Sequence, residues 1–174
     1  ITSMLAGRLG CDVRAIEPRT DRRGVAESLG VRTLAPLEAP RAVSSWTSGE
    51  GVPTAIEASG APEALPAILP LLAHEGSVVV ASWYGTRTVP LPLGAEFHRR
   101  RLAITSSQVS TIPRRLQDTW TIERRRKEAI DLCHVLPLGQ IPTLVLPVAR
   151  AAEAFEILAA GREGGPMHVV LDHA

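Results

Sequence analysis

Segments of helical and of strand character alternate along almost the whole chain, and that alternation restricts it to folds built on a parallel sheet. The closing unit is the clearest. Val148, Ala151, Ala152, Phe155, Leu158 and Ala159 recur at helical spacing as one apolar face, and residues 167–171 then read as a strand. The opening follows the same pattern. Ile1, Met4, Leu5 and Leu9 recur at helical spacing, Gly10 offers a stop, and residues 13–16 form a short apolar run that ends in Glu17. Asp21 is placed to cap a helix over 22–29, closed by Gly30, and residues 31–34 supply the next strand.

The middle of the chain continues the alternation less evenly. Residues 35–51 carry Pro36, Pro40, serines and Gly49, which predicts a loop or a broken helix. VPTAIEASG (52–60) reads as a buried strand ending in a small-residue turn at Ser59 and Gly60. In PEALPAILPLLA, Pro62 suits a first helical turn. Pro66 and Pro70 fall where a regular helix needs donors, each at a cost of about 3 kcal/mol, so a kinked or partly irregular helix is expected. HEGSVVVASWYG supplies a turn, a strand over 77–82 and an exit loop at Trp83, Tyr84 and Gly85. LAITSSQ (102–108) is a further strand, and a helix over about 120–134 ends before Pro137. The sum is an α/β chain with a doubly wound parallel sheet. In a βαβ nucleotide-binding unit the opening helix follows a strand and a glycine-rich turn, so the expectation is a piece of a longer enzyme, with both features ahead of Ile1.

Composition narrows the function. With 45% hydrophobic residues in 174, a core can be built, and 19 basic against 18 acidic side chains leave a net charge of +1. That balance asks for neither nucleic acid nor an anionic membrane. Of the basic runs FHRRRL and ERRRK, the first leads into a strand and the second, flanked by Glu123 and Glu128, reads as a solvated helix face; a nucleic-acid module at these arginines is a third reading. Cys11 and Cys133 form no C-x-x-C, which excludes a disulfide framework or a cysteine-rich zinc site and makes a reducing cytoplasm the default. No apolar run has the length of a membrane span.

The candidate sites lie at strand ends. At the end of a second βαβ strand, the Glu17 carboxylate can accept from both ribose hydroxyls and repels a 2′-phosphate, which favours NAD over NADP. Arg19, Arg22 and Arg23 keep NADP open, since they can attract adenosine phosphates or a 2′-phosphate, or simply solvate a helix start. The turns at 57–60, 82–85 and 106–108 form a second group. Outside the carboxyl ends of parallel strands, small residues let backbone amides and carbonyls approach a ligand. GEGVPT (49–54) lacks the third glycine of G-x-G-x-x-G and precedes a strand, so it is set aside. Phosphate-loop, zincin and nucleophile-elbow motifs have no match.

Taken in order, CDVRAIEPRTDRR, AIEASGAPEAL, HEGSVVVASWYG, AEFHRRRLAITSSQVSTIP, LVLPVARAAEAFEILAAG and MHVVLD resemble the C-terminal half of the medium-chain, zinc-containing alcohol dehydrogenases, the group that includes sorbitol-, threonine- and bacteriochlorophyllide-type enzymes. The resemblance implies a Rossmann-type NAD(P)-binding domain truncated at its N-terminus over 1–142, and a segment over 143–174 that returns to a catalytic domain. It further implies Glu17 on the adenosine ribose, with Arg22 beside it. The backbone of Ser59, Gly60, Trp83, Tyr84, Ser106, Ser107 and Gln108 is then placed near the nicotinamide. In the family, hydride passes between nicotinamide and an alcohol or ketone carbon, with zinc polarising the oxygen. The zinc ligands and the catalytic residues belong to a preceding domain, so the resemblance assigns none here and implies that the isolated chain is inactive. A rival expectation is a non-catalytic Rossmann-like module that forms a homodimer through a sheet edge around residues 89–93 or binds another ligand.

Overall fold

A computed structural model describes residues 1–173. The chain forms two compact units, Ile1–Pro36 with Glu123–Ala174, and Leu37–Ile122. Among the described residues every strand pairing is parallel, as the alternation predicts, and the strands form three ladders.

In the first unit, helix α1 (Thr2–Arg8), strand β1 (Ala15–Ile16), helix α2 (Thr20–Ser28) and strand β2 (Thr33–Leu34) follow the expected order. Both helices end in the same glycine turn. After α1 the Gly10 amide donates to Gly7 O and the Cys11 amide to Ala6 O; after α2, Gly30 donates to Glu27 O and Val31 to Ala26 O. These paired bonds satisfy the last carbonyls of each helix, so the chain turns straight toward a strand. The start of α2 differs from expectation. It begins at Thr20, with Arg19 as an extended N-cap (φ −84, ψ 125) that makes no side-chain cap bond. Asp21 therefore lies inside the first turn, where its charge still complements the helix dipole.

The same unit holds a βαβ element that the sequence reading passed over in part. Strand β6 (Thr143–Pro147), helix α6 (Ala151–Ala160) and strand β7 (His168–Asp172) form it, and β6 pairs in register with β7 from Thr143↔His168 to Pro147↔Asp172. Leu146 and Ala154 are buried within it, with Leu136 and Ile141 just ahead of it. Before them runs helix α5 (Ile122–Val135), one turn of whose surface is laced by Lys127 Nζ donating to Asp131 at 2.6 Å.

In the second unit the ambiguous stretch resolves into helix α3 (Ala39–Trp46), with Pro40 in its first turn where no donor is needed. Strand β3 (Val52–Glu57), helix α4 (Ala64–Ile68), strand β4 (Leu72–Val80) and strand β5 (Ala103–Ser106) follow, with the ladder ordered β3-β4-β5. Pro53 is tolerated because β3 is an edge of that ladder and its register shifts there. Pro66 and Pro70 have the anticipated effect: the helix is short and passes into a 3-10 turn at Leu69–Leu71. Leu65, Leu69, Leu72, Val78 and Leu102 form the core. Each such side chain contributes roughly 1.5–3 kcal/mol by leaving water.

The expected sheet edge at 89–93 carries no strand. Pro90 and Pro92 lack the donors a ladder needs, and Val89 and Leu91 pack against the core instead. Among the described residues no helix is long and apolar enough to cross a membrane.

Candidate functional site

In the second unit the register Glu57↔Val80 and Val80↔Ser106 brings the carboxyl ends of β3, β4 and β5 level. The turns that leave these ends are tied to one side chain. Glu57 is 2% exposed. Its Oε1 accepts from the Ser59 amide at 2.6 Å, the Ser59 hydroxyl at 2.5 Å and the Gly60 amide at 3.1 Å. Its Oε2 accepts from the Ser82 hydroxyl and, at 2.7 Å, from the Tyr84 hydroxyl. Burial opposes ionisation of this carboxyl, but the hydroxyls of Ser59, Ser82 and Tyr84 and the Ser59 amide outweigh it and bring the pKa down to about 2. Burial, and then the Glu57 carboxylate it donates to, raise the Tyr84 phenol to about 12.

The two turns approach closely. A Cβ at Gly60 (φ +67) would stand 3.0 Å from the Trp83 carbonyl oxygen, a tight contact in a backbone conformation that favours glycine. Arg87 closes the arrangement, donating to Gly60 O at 2.6 Å and Tyr84 O at 3.1 Å. Ser59, Gly60, Trp83 and Tyr84 are thus assembled into one rim, in which Trp83 is 85% exposed. Ser106, Ser107 and Gln108 follow the neighbouring strand end and are exposed; the Ser107 amide donates to Val80 O at 2.8 Å, and Gln108 accepts from the Ser110 amide. Sequence reasoning placed the turns but missed Glu57, Ser82 and Arg87 as the groups that fix them. The available signal was an acid closing the apolar run VPTAIE directly before Ser59 and Gly60.

In the first unit Glu17 follows β1, its amide donating to Leu34 O at 3.1 Å. Its Oε1 accepts from the Arg19 amide at 2.9 Å, and Oε2 takes no hydrogen bond among the described residues. Half-buried and with one oxygen uncommitted, this carboxylate suits a pair of hydroxyl donors. Arg23 is turned back on its own chain, donating to Glu17 O at 2.8 Å, Pro18 O at 2.9 Å and the Thr20 hydroxyl at 3.0 Å. Arg22 is exposed on the first turn of α2. Among the described residues no three His, Cys, Asp or Glu side chains gather to hold a metal ion. The basic runs meet acids: Arg100 pairs with Glu96 at 2.6 Å and Arg101 with Glu75 at 3.3 Å.

A family model described as zinc-binding dehydrogenase matches residues 1–124. A 2-dehydro-3-deoxy-L-galactonate 5-dehydrogenase from Pseudoalteromonas atlantica is 26% identical over 147 residues, which cover 81% of this chain and 42% of that relative. Among solved structures, an NAD-dependent alcohol dehydrogenase aligns with a TM-score of 0.68 at 25% identity, covering 98% of this chain and 46% of the other. Benzyl alcohol dehydrogenase from Acinetobacter calcoaceticus aligns at 0.74 with 15% identity, over 98% and 46%, a likeness of fold. The chain spans under half the length of these relatives.

Proposed function

This chain belongs to the zinc-binding dehydrogenase family, and from that premise we propose that it is the nicotinamide-nucleotide-binding part of a longer, NAD-preferring alcohol dehydrogenase. The observation that carries the reading is the rim of backbone and hydroxyl groups held by Glu57 at the level carboxyl ends of parallel strands, the place where open α/β sheets take ligands. In the first unit, Glu17 accepts the adenosine ribose hydroxyls through Oε2, and Arg22 offers a charge to the adenosine phosphates. In the second, the backbone of Ser59, Gly60, Trp83 and Tyr84, with Ser106, Ser107 and Gln108, meets the nicotinamide half. The bound nicotinamide supplies hydride exchange with an alcohol or ketone carbon.

The ladders support the truncated form of the fold. A dinucleotide-binding order of 3-2-1-4-5-6 that lacks its first strand consists of a two-stranded ladder and a three-stranded one, matching β1-β2 and β3-β4-β5. On this reading the first strand, the glycine turn and the zinc ligands precede Ile1, and residues 143–174 return toward the catalytic domain. Free, exposed Cys11 and Cys133 suit a reducing cytoplasm.

The test is to read the coding region upstream of Ile1 and express the longer protein. A G-x-G-x-x-G after a strand pattern should appear in frame, and the longer protein should reduce NAD with an alcohol and lose that activity to a zinc chelator, while the present chain stays inactive. A stop codon in frame immediately upstream, or turnover by the present chain with added zinc and alcohol, would overturn the reading.

A further inference from the structure

We infer that Asp21 and the turn after α6 withhold Arg19 from the ribose, and that this restraint, together with Glu17, sets discrimination against a 2′-phosphorylated nucleotide. The inference rests on the cofactor reading above. Arg19 stands two residues beyond Glu17, near enough in sequence for its amide to reach the Glu17 carboxylate at 2.9 Å, and a guanidinium there is the natural partner of a 2′-phosphate. Its donors are committed elsewhere. Nε and Nη2 form a fork on Asp21 at 3.1 and 2.6 Å, Nη1 donates to Gly161 O at 2.7 Å, and Nη2 also donates to Arg162 O at 2.6 Å.

Asp21 is fixed in turn. Its Oδ2 accepts from the Gly164 amide at 2.7 Å, so the turn closing α6 grips both members of the pair. The ion pair is only about a quarter exposed, 24% for Arg19 and 21% for Asp21. A planar fork satisfied on two sides does not swing to a new anion without breaking several charge-assisted bonds. With Arg23 bonded to backbone carbonyls and the exposed Arg22 given to the adenosine phosphates on the reading above, the restraint on Arg19 leaves the negative charge of Glu17 to act on a 2′-phosphate.

Asp21→Asn keeps the side-chain shape and removes the only charge among the groups that hold Arg19, leaving the neutral carbonyls of Gly161 and Arg162. The experiment titrates NADH and NADPH into the wild-type chain, Asp21→Asn, Arg19→Ala and the double variant, with circular-dichroism melts to follow folding. Asp21→Asn should tighten NADPH about tenfold while NADH changes less than about twofold, and the double variant should return to the wild-type ratio. Arg19→Ala alone should leave the ratio unmoved, and if Asp21→Asn does not fold, Asp21→Ser, which also removes the charge, is read in the same titration with the same expected tightening of NADPH. NADH binding with an unchanged ratio in folded Asp21→Asn, or a tenfold loss of NADPH affinity in Arg19→Ala, would overturn the inference alone. A wild-type chain that binds neither nucleotide would overturn the cofactor reading and this inference with it.

Discussion

Tyr84 donates its hydroxyl to Glu57 at 2.7 Å, joining the end of β3 to the loop beyond β4 across 27 residues of sequence. The bond is one of a set that keeps a charge stable in a buried position, and its partners are the same groups that form the rim. Tyr84→Phe removes one donor from a buried carboxylate and should lower stability by roughly 1.5–3 kcal/mol, read from denaturant unfolding. An unchanged midpoint would show that the hydroxyl bond contributes nothing to the fold.

The same pair sets two limits on pH. Glu57 falls from 4.5 to about 2 on folding, so its contribution is complete above pH 4.5 and is lost as the pH drops through 2. Tyr84 rises from 10.0 to about 12, so its contribution is complete below pH 10 and is lost as the pH climbs through 12. Glu57→Gln should flatten the acid limb of the stability profile, and Tyr84→Phe the alkaline limb. Thermal melts from acid to alkaline pH check both.

Gly51 shows where backbone and core meet. It has φ +83, and a Cβ there would lie 2.7 Å from the carbonyl carbon of Leu72, whose side chain is fully buried. Gly51→Ala should cost about 1–3 kcal/mol through backbone strain alone. Gly139 has ordinary φ and open space around it, so Gly139→Ala should stay within roughly 0.5 kcal/mol. Equal midpoints for the two variants would contradict the packing at Leu72.

Leu72 itself anchors the second unit, at the point where the 3-10 turn after α4 passes into β4. Leu72→Ala should destabilise by about 2–5 kcal/mol, with the cavity adding to the lost transfer energy.

Helix α6, strand β7 and the two early helices were legible because period and glycine stops coincide there: Gly10 and Gly30 close α1 and α2 where they were expected. Strand β6 was obscured because Pro142 and Pro147 bracket TLVL and the apolar run passes directly into the helical face from Val148. Asp21 was misplaced as a cap because local sequence cannot show that Arg19 and Gly164 compete for its oxygens. The rim was legible only as a set of turns. The role of Glu57 depends on Ser82 and Tyr84, which reach it only once β3 and β4 pair.

The most direct test of nucleotide binding is a titration of the purified chain with NADH, following nucleotide fluorescence in the wild type and in Glu17→Ala, with circular-dichroism melts confirming that both are folded. Saturable binding to the wild type, weakened at least tenfold in Glu17→Ala, is the expected result. A folded wild type that does not bind NADH, or equal binding by a folded Glu17→Ala, would contradict it.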